Sequence, residues 1–190
     1  MKFFKKPGAA IFLSLLVVYL STTISINAKL TDKCLDISDG FFVGVRVDGV
    51  DYPPVYDSVK ELCSISDEMI IIAKNYGIDT EDLYYAQDWL ESAMVYSPEE
   101  VSYIGSCYED FIQQLKLVEN QLLSTGLSQR HTAAMEEYSP QISSATAAVE
   151  ENSAAYNETV RQFLREYDKF PTAQWADITG TSFPGYFGSL

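Results

Sequence analysis

The sequence predicts an all-α protein: an elongated antiparallel helical bundle behind an N-terminal membrane helix or signal segment and a short irregular or β-like lead-in. Three observations carry this. Apolar side chains recur at helical spacing from Val55 onward, cap and turn residues cut that pattern into long pieces, and an uncharged apolar run follows three lysines at the start.

Residues 1–28 read as a targeting or anchoring unit. Lys2, Lys5 and Lys6 precede an uncharged stretch from Pro7 to Ala28, most strongly apolar over Ala9–Leu20. That core has the length of a secretory signal, and with Ser21–Ile26 included it is just long enough to span a bilayer. Cleavage after Ala28 would put Ile26 where a small residue is preferred, and Thr23-Ile24-Ser25 is the other candidate. Under both readings the lysines stay inside and the rest is exported. The expected location is the cell membrane, single-pass, with the bundle extracytoplasmic; secretion is the alternative.

All three basic residues before position 29 sit in a segment without acids, so the remainder holds ten basic against 27 acidic residues. A domain this acidic repels phosphate backbones and anionic headgroups, which excludes nucleic acid as a partner. Cys34, Cys63 and Cys107 follow the leader. Export permits a Cys34–Cys63 or Cys63–Cys107 disulfide, and the alternative is three small buried thiols. The absence of Cys-x-x-Cys argues against a zinc knuckle or a thioredoxin-like site.

Residues 29–54 are expected to be a linker or short hairpin. Asp39-Gly40, Gly44, Asp48-Gly49 and Pro53-Pro54 punctuate them, and Phe41–Val47 is rich in aromatic and β-branched residues. Residues 55–190 form the bundle and its tail. Val55, Val59, Leu62, Ile65, Met69, Ile72 and Tyr76 make the first stripe, ended by Gly77. Asp79 or Thr80 caps a second helix whose inner face is Leu83, Ala86, Trp89 or Leu90, Ala93 and Met94. Ser97-Pro98-Glu99-Glu100 has the order of a capping box with proline at the first helical position, which predicts a third helix from there to about Ser124. Ser128 opens the last helical region, which Pro140 is expected to kink or split.

The chemistry-bearing residues are sparse. His131 is the sole histidine, in a polar helix start without a nucleophile elbow, and reads as a solvated surface residue. Acidic pairs (Glu81-Asp82, Glu99-Glu100, Glu109-Asp110, Glu136-Glu137, Glu150-Glu151) diverge by about 100° on a helix and suit solvated faces and first turns. The turns Asp36–Gly40 and Asp48–Asp51 are the places where a calcium ion would be weakly held. No catalytic, cofactor-binding or metal-ligating residue is assigned. Asn157-Glu158-Thr159 fits a glycosylation sequon, read as chance on a helix.

The final helix carries Tyr156, Val160, Phe163, Tyr167 and Phe170 at spacings of 4, 3, 4 and 3, stopped by Pro171. A tail follows with Trp175, Ile178, Phe183, Tyr186, Phe187 and Leu190, too apolar to dangle in water. It either folds back over the bundle or serves as a docking peptide or interfacial membrane contact.

Tyr156-Asn157, Val160, Phe163, Tyr167, Phe170-Pro171, Gly180 and Tyr186-Phe187 together resemble the C-terminal signature of the LemA family. The likeness covers about 150–187. It departs at Phe163-Leu164, where the family has a second Tyr-Asn, and at Ser153-Ala154, where the family has an arginine. The family's Asp-Leu-Ile-Pro-Asn-Leu-Val run is reduced to Asp57 and Leu62-Cys63. The resemblance implies a bacterial envelope protein with one N-terminal membrane helix and an elongated helical bundle, and it favours the anchor over the cleaved signal.

The expected function is therefore a non-catalytic scaffold or interaction role at the bacterial cell envelope, without a cofactor. Its partners would be the membrane through the N-terminal segment and an envelope protein, with homo-oligomerisation left open. Tyr156, Asn157, Trp175, Phe183, Tyr186 and Phe187 form the expected contact surface. A secreted carboxylate-rich hydrolase or calcium-binding domain is the alternative.

Overall fold

The computed structural model of the chain describes residues 7–97, 100–167, 169 and 172–188. Among these it is an all-α helical bundle with one two-stranded sheet. The order is α1 (Pro7–Val43), β1 (Val45–Val47), β2 (Val50–Tyr52), α2 (Val55–Asn75), α3 (Glu81–Tyr96), α4 (Val101–Ser124), α5 (Gln129–Tyr167) and α6 (Thr172–Thr179). Two compact units result: Met1–Asp36 with Phe163–Phe183, and Ile37–Gln162 with Pro184–Leu190.

The larger unit holds α2, α3, α4 and most of α5, joined by short turns that reverse the chain between neighbours. Its core follows the helical period. Val55, Val59, Leu62 and Met69 from α2, Leu83 and Leu90 from α3, and Ile104, Phe111, Leu115 and Leu122 from α4 are fully buried. Met135, Ile142, Val149 and Tyr156 supply the α5 side. At the end of α2 the Ile78 N–H reaches the Ala73 carbonyl (3.1 Å) and the Gly77 N–H reaches that of Lys74 (3.3 Å). These two bonds close the helix in the Schellman arrangement that Gly77 suggests.

Four expectations change. Residues 29–43 are helical, the last part of α1, where turn residues had suggested a linker; Asp36–Gly40 is therefore not a loop for calcium. A mid-helix glycine costs only about 1 kcal/mol, and complete burial of Phe41 one residue on outweighs it. The hairpin is present but shorter than Phe41–Val47 suggested: Val47 pairs with Val50. Asp48 (φ 51°) and Gly49 (φ 84°) form its turn, both left-handed as a two-residue connection of type I′ requires. Arg46 and Asp51 pair across it at 3.4 Å.

Next, α4 begins at Val101, not at Ser97. The Ser97 N–H closes α3 on the Ala93 carbonyl (3.0 Å), so this residue ends one helix instead of capping the next. Pro98 and Glu99 of the expected capping box lie outside the described residues. Thirdly, α5 runs through Pro140 without a break. Its far end is Tyr167, and Phe170 and Pro171 lie outside the described residues. Lastly, the front of the tail forms α6, which no expectation included.

Helix α3 separates its two faces at adjacent residues. Leu90 is fully buried whereas Trp89 is exposed, which resolves the sequence alternative in favour of Leu90. In urea denaturation, Leu90→Ala is expected to cost about 2–5 kcal/mol. Trp89→Ala should change stability by no more than about 0.5 kcal/mol.

Candidate functional site

The residues singled out at the C-terminal end fall into both units. In the larger unit, Tyr156 and Asn157 on α5 grip the returning tail. The Tyr156 hydroxyl donates to the Gly185 carbonyl (3.1 Å). The Asn157 side chain binds Phe187 twice: its Nδ2 donates to the Phe187 carbonyl (3.1 Å) and its Oδ1 accepts the Phe187 N–H (2.8 Å). The amide thus pairs with the tail as a neighbouring strand would, leaving neither backbone group of Phe187 unpaired.

That pairing seats the Phe187 ring in an aromatic pocket. Its centroid lies 5.3 Å from Phe41 and 5.4 Å from Tyr108, and Phe41 meets Tyr156 edge-on at 6.4 Å. Glycine is needed at the crossing with α4. A Cβ on Gly105 would stand 2.1 Å from the Gly188 backbone nitrogen, and Gly188 itself has a left-handed φ of 76°. Gly105 lets the tail approach the axis of α4, and Gly188 lets it turn there.

Burial also sets the ionisation of this core. It raises the Tyr156 and Tyr108 phenols above their ordinary range and pushes the Cys63 thiol up to about 12, helped by nearby Glu91. Cys34, Cys63 and Cys107 are all free and buried, so the disulfide alternatives are not the arrangement found.

Two members of the expected contact surface are therefore interior. Tyr156 and Phe187 are buried by the chain itself and offer no face to a partner. Asn157 and Tyr186 are half-buried beside them. The tail from Pro184 to Gly188 folds back onto the bundle and is hydrogen-bonded to α5.

Trp175 and Phe183 belong to the smaller unit. Trp175, on α6, packs on Tyr19 of α1 at 5.5 Å, and the Thr181 hydroxyl donates to Asn27 Oδ1 (2.6 Å). Phe183 meets Phe163 edge-on at 5.6 Å, with Phe163 stacked on Tyr167. Lys33 lies over the Tyr167 ring, 5.0 Å from its centre.

His131 is half-buried and hydrogen-bonded rather than freely solvated. Its Nδ1 lies 2.8 Å from the Tyr76 hydroxyl, which also accepts the Ser128 N–H (2.9 Å). The histidine thereby ties the start of α5 to the end of α2, a link between residues 55 apart in sequence. Among the described residues no group of three or more His, Cys, Asp or Glu side chains is arranged to hold a metal ion. Comparison of the chain with protein-family models, with curated proteins and with solved structures gives no match.

Two outcomes follow from this geometry. Gly105→Ala should expel the tail: chymotrypsin would cut at Tyr186 or Phe187 at least tenfold faster than in the native chain, while α-helical circular dichroism is retained. Alkaline pH should weaken the fold. The unfolded thiol of residue 63 ionises near its ordinary 9.0 whereas the folded one resists to about 12, so its contribution is complete below pH 9 and lost across that interval. Urea midpoints measured from pH 8 to 11 should fall, and Cys63→Ala should flatten the first part of that fall.

Proposed function

We propose that this chain is a single-pass membrane protein of LemA-like type whose bundle stands outside the cytoplasm and works by binding a partner, not by catalysis. The observation that carries the reading is α1. Among the described residues it is the one helix long and apolar enough to cross a membrane, and none of its most apolar window is buried by protein. Ile11, Phe12, Leu15, Val17, Val18, Leu20 and Ile24 are exposed around it, a distribution suited to hydrocarbon and costly in water.

Its polar residues fit the same solvent. The Ser21 and Thr22 hydroxyls donate to the Val18 carbonyl, at 3.0 and 2.8 Å, and that of Thr23 to the Tyr19 carbonyl at 2.8 Å. Each of these three hydroxyls is satisfied within the helix, as lipid demands. Tyr19 and Trp175 make an aromatic pair of the kind enriched at membrane–water boundaries. Lys2, Lys5 and Lys6 favour a cytoplasmic start, leaving the acidic remainder on the far side.

Binding is preferred over catalysis because the paired carboxylates Glu81-Asp82, Glu109-Asp110, Glu136-Glu137 and Glu150-Glu151 all face outward along helices, without a shared cleft. The partner class is an envelope protein or a second copy of this chain, which cross-linking in intact cells would separate.

The anchor is tested by alkaline carbonate washing of membranes with N-terminal sequencing of the retained protein. Retention of an uncleaved chain, digestible by protease only from outside, is expected. A soluble species beginning near residue 29 would overturn the anchor.

A further inference from the structure

The helix α3 carries a second stripe that the core does not use. Leu83, Gln87, Leu90 and Met94 face inward. Tyr85, Trp89, Ser92 and Tyr96 repeat the same 4-3-4 spacing two residues later, about 200° round the helix, and so face outward. Trp89 is 63% exposed and Tyr96 83%. Most of each ring lies open to solvent.

These side chains line a groove. A cavity of about 330 Å³ lies between the second half of α3 and the start of α4, bordered by Asp88, Trp89, Ser92, Tyr96, Ser97 and Tyr103. A second, of about 380 Å³, lies at the other end of α3 and is bordered by Lys74, Asp79, Thr80, Glu81, Tyr84 and Tyr85. Both combine aromatic rings with carboxylate. The first has no cationic side chain on its wall.

The charge of the ridge is one-sided. Its four ionisable groups other than tyrosine are Glu81, Asp82, Asp88 and Glu91, with no lysine, arginine or histidine. Glu91 is paired with Lys60 at 3.7 Å, which leaves Asp88 as the carboxylate at the first groove. The C-terminal end of α3, where Tyr96 and Ser97 stand, adds the negative pole of the helix dipole.

We propose that α3 is a docking ridge for an extended, arginine-bearing segment of a partner protein, with one guanidinium seated in the Asp88–Trp89–Tyr96–Tyr103 groove. A guanidinium is the group that satisfies both halves of this wall. It stacks flat on indole and phenol rings and offers paired N–H donors to a carboxylate. An apolar side chain would leave Asp88 unmatched, and an anion would meet only repulsion. The two grooves are centred about eight residues apart on α3, roughly 12 Å. An extended segment covers that distance in about four residues, so a second arginine four positions away reaches Asp79 and Glu81. The ridge stands independently of the membrane anchor, because α3 lies in the larger unit.

The test uses the full-length chain in detergent with Trp175→Phe, which leaves Trp89 as the single tryptophan. The titrant is a twelve-residue glycine–serine peptide with two arginines four positions apart, and the control is the same peptide with citrulline. Saturable change in Trp89 emission below 1 mM is expected, with the citrulline peptide at least tenfold weaker. In the same background, Asp88→Asn should weaken binding about tenfold. Asp51→Asn, an equal change in net charge on the hairpin, should leave it within twofold. Trp89→Ala, measured by calorimetry, should weaken binding at least fivefold with an unchanged melting temperature. Equal binding of the citrulline peptide, equal effects of the two Asp→Asn changes, or no saturation below 1 mM would overturn the proposal.

Discussion

The burial of the tail in the larger unit depends on one side-chain amide, that of Asn157. A chain end cannot be buried unless its backbone polar groups find partners, since each orphan costs about 1–3 kcal/mol. Strand neighbours would ordinarily supply them, but the only sheet among the described residues is the hairpin 45–52. Asn157 substitutes for a strand by giving one donor and one acceptor to Phe187. Once the backbone is paired, the Phe187 ring closes the cluster of Phe41, Tyr108 and Tyr156. The last turn of α1, the middle of α4 and α5 thus share a ring that arrives from 30 residues beyond Asn157.

This constraint explains why the residues that suggest a LemA likeness are interdependent. A Tyr-Asn pair without the tail would leave an amide idle on a helix. Without glycine at 188 in the tail and at 105 on α4, the tail would not reach the amide. The side-chain nitrogen of the Asn157-Glu158-Thr159 sequon is bonded to the Phe187 carbonyl in the folded chain. Departures at Ser153 and at Phe163-Leu164 lie outside this set of contacts and leave it intact.

Much of the bundle was legible because helical burial is a local, periodic signal. The inward stripes of α2, α4 and α5 follow from spacing alone, and so does the hairpin turn at Asp48-Gly49. What was misread was decided by distant partners. Gly40 looks like a break until Phe41 is seen among residues more than a hundred positions away, whereas Gly44 does end the helix. Ser97 resembles a helix start because its own side chain fits a cap, yet its N–H is spent on Ala93. His131 looks solvated until Tyr76 approaches it. The Tyr156-Asn157 pair stood out in the sequence, but whether it faced a partner or its own tail turned on a long-range pairing that composition does not carry.

Locating the signature residues in the interior moves the search for a contact surface elsewhere. Aromatic rings at Tyr156 and Phe187 are accounted for by burial, and Trp175 and Phe183 by contacts within the smaller unit. The rings of α3 are not. A helix whose outward face repeats the spacing of its inward face with aromatics carries apolar surface that neither propensity nor core packing calls for. Acidic neighbours keep such a face soluble while unoccupied, and they select the sign of what can cover it. Solubility alone would be met by the acids without the rings, and burial alone by the rings without the acids. Their combination on one ridge is what makes a cationic partner the economical reading of α3.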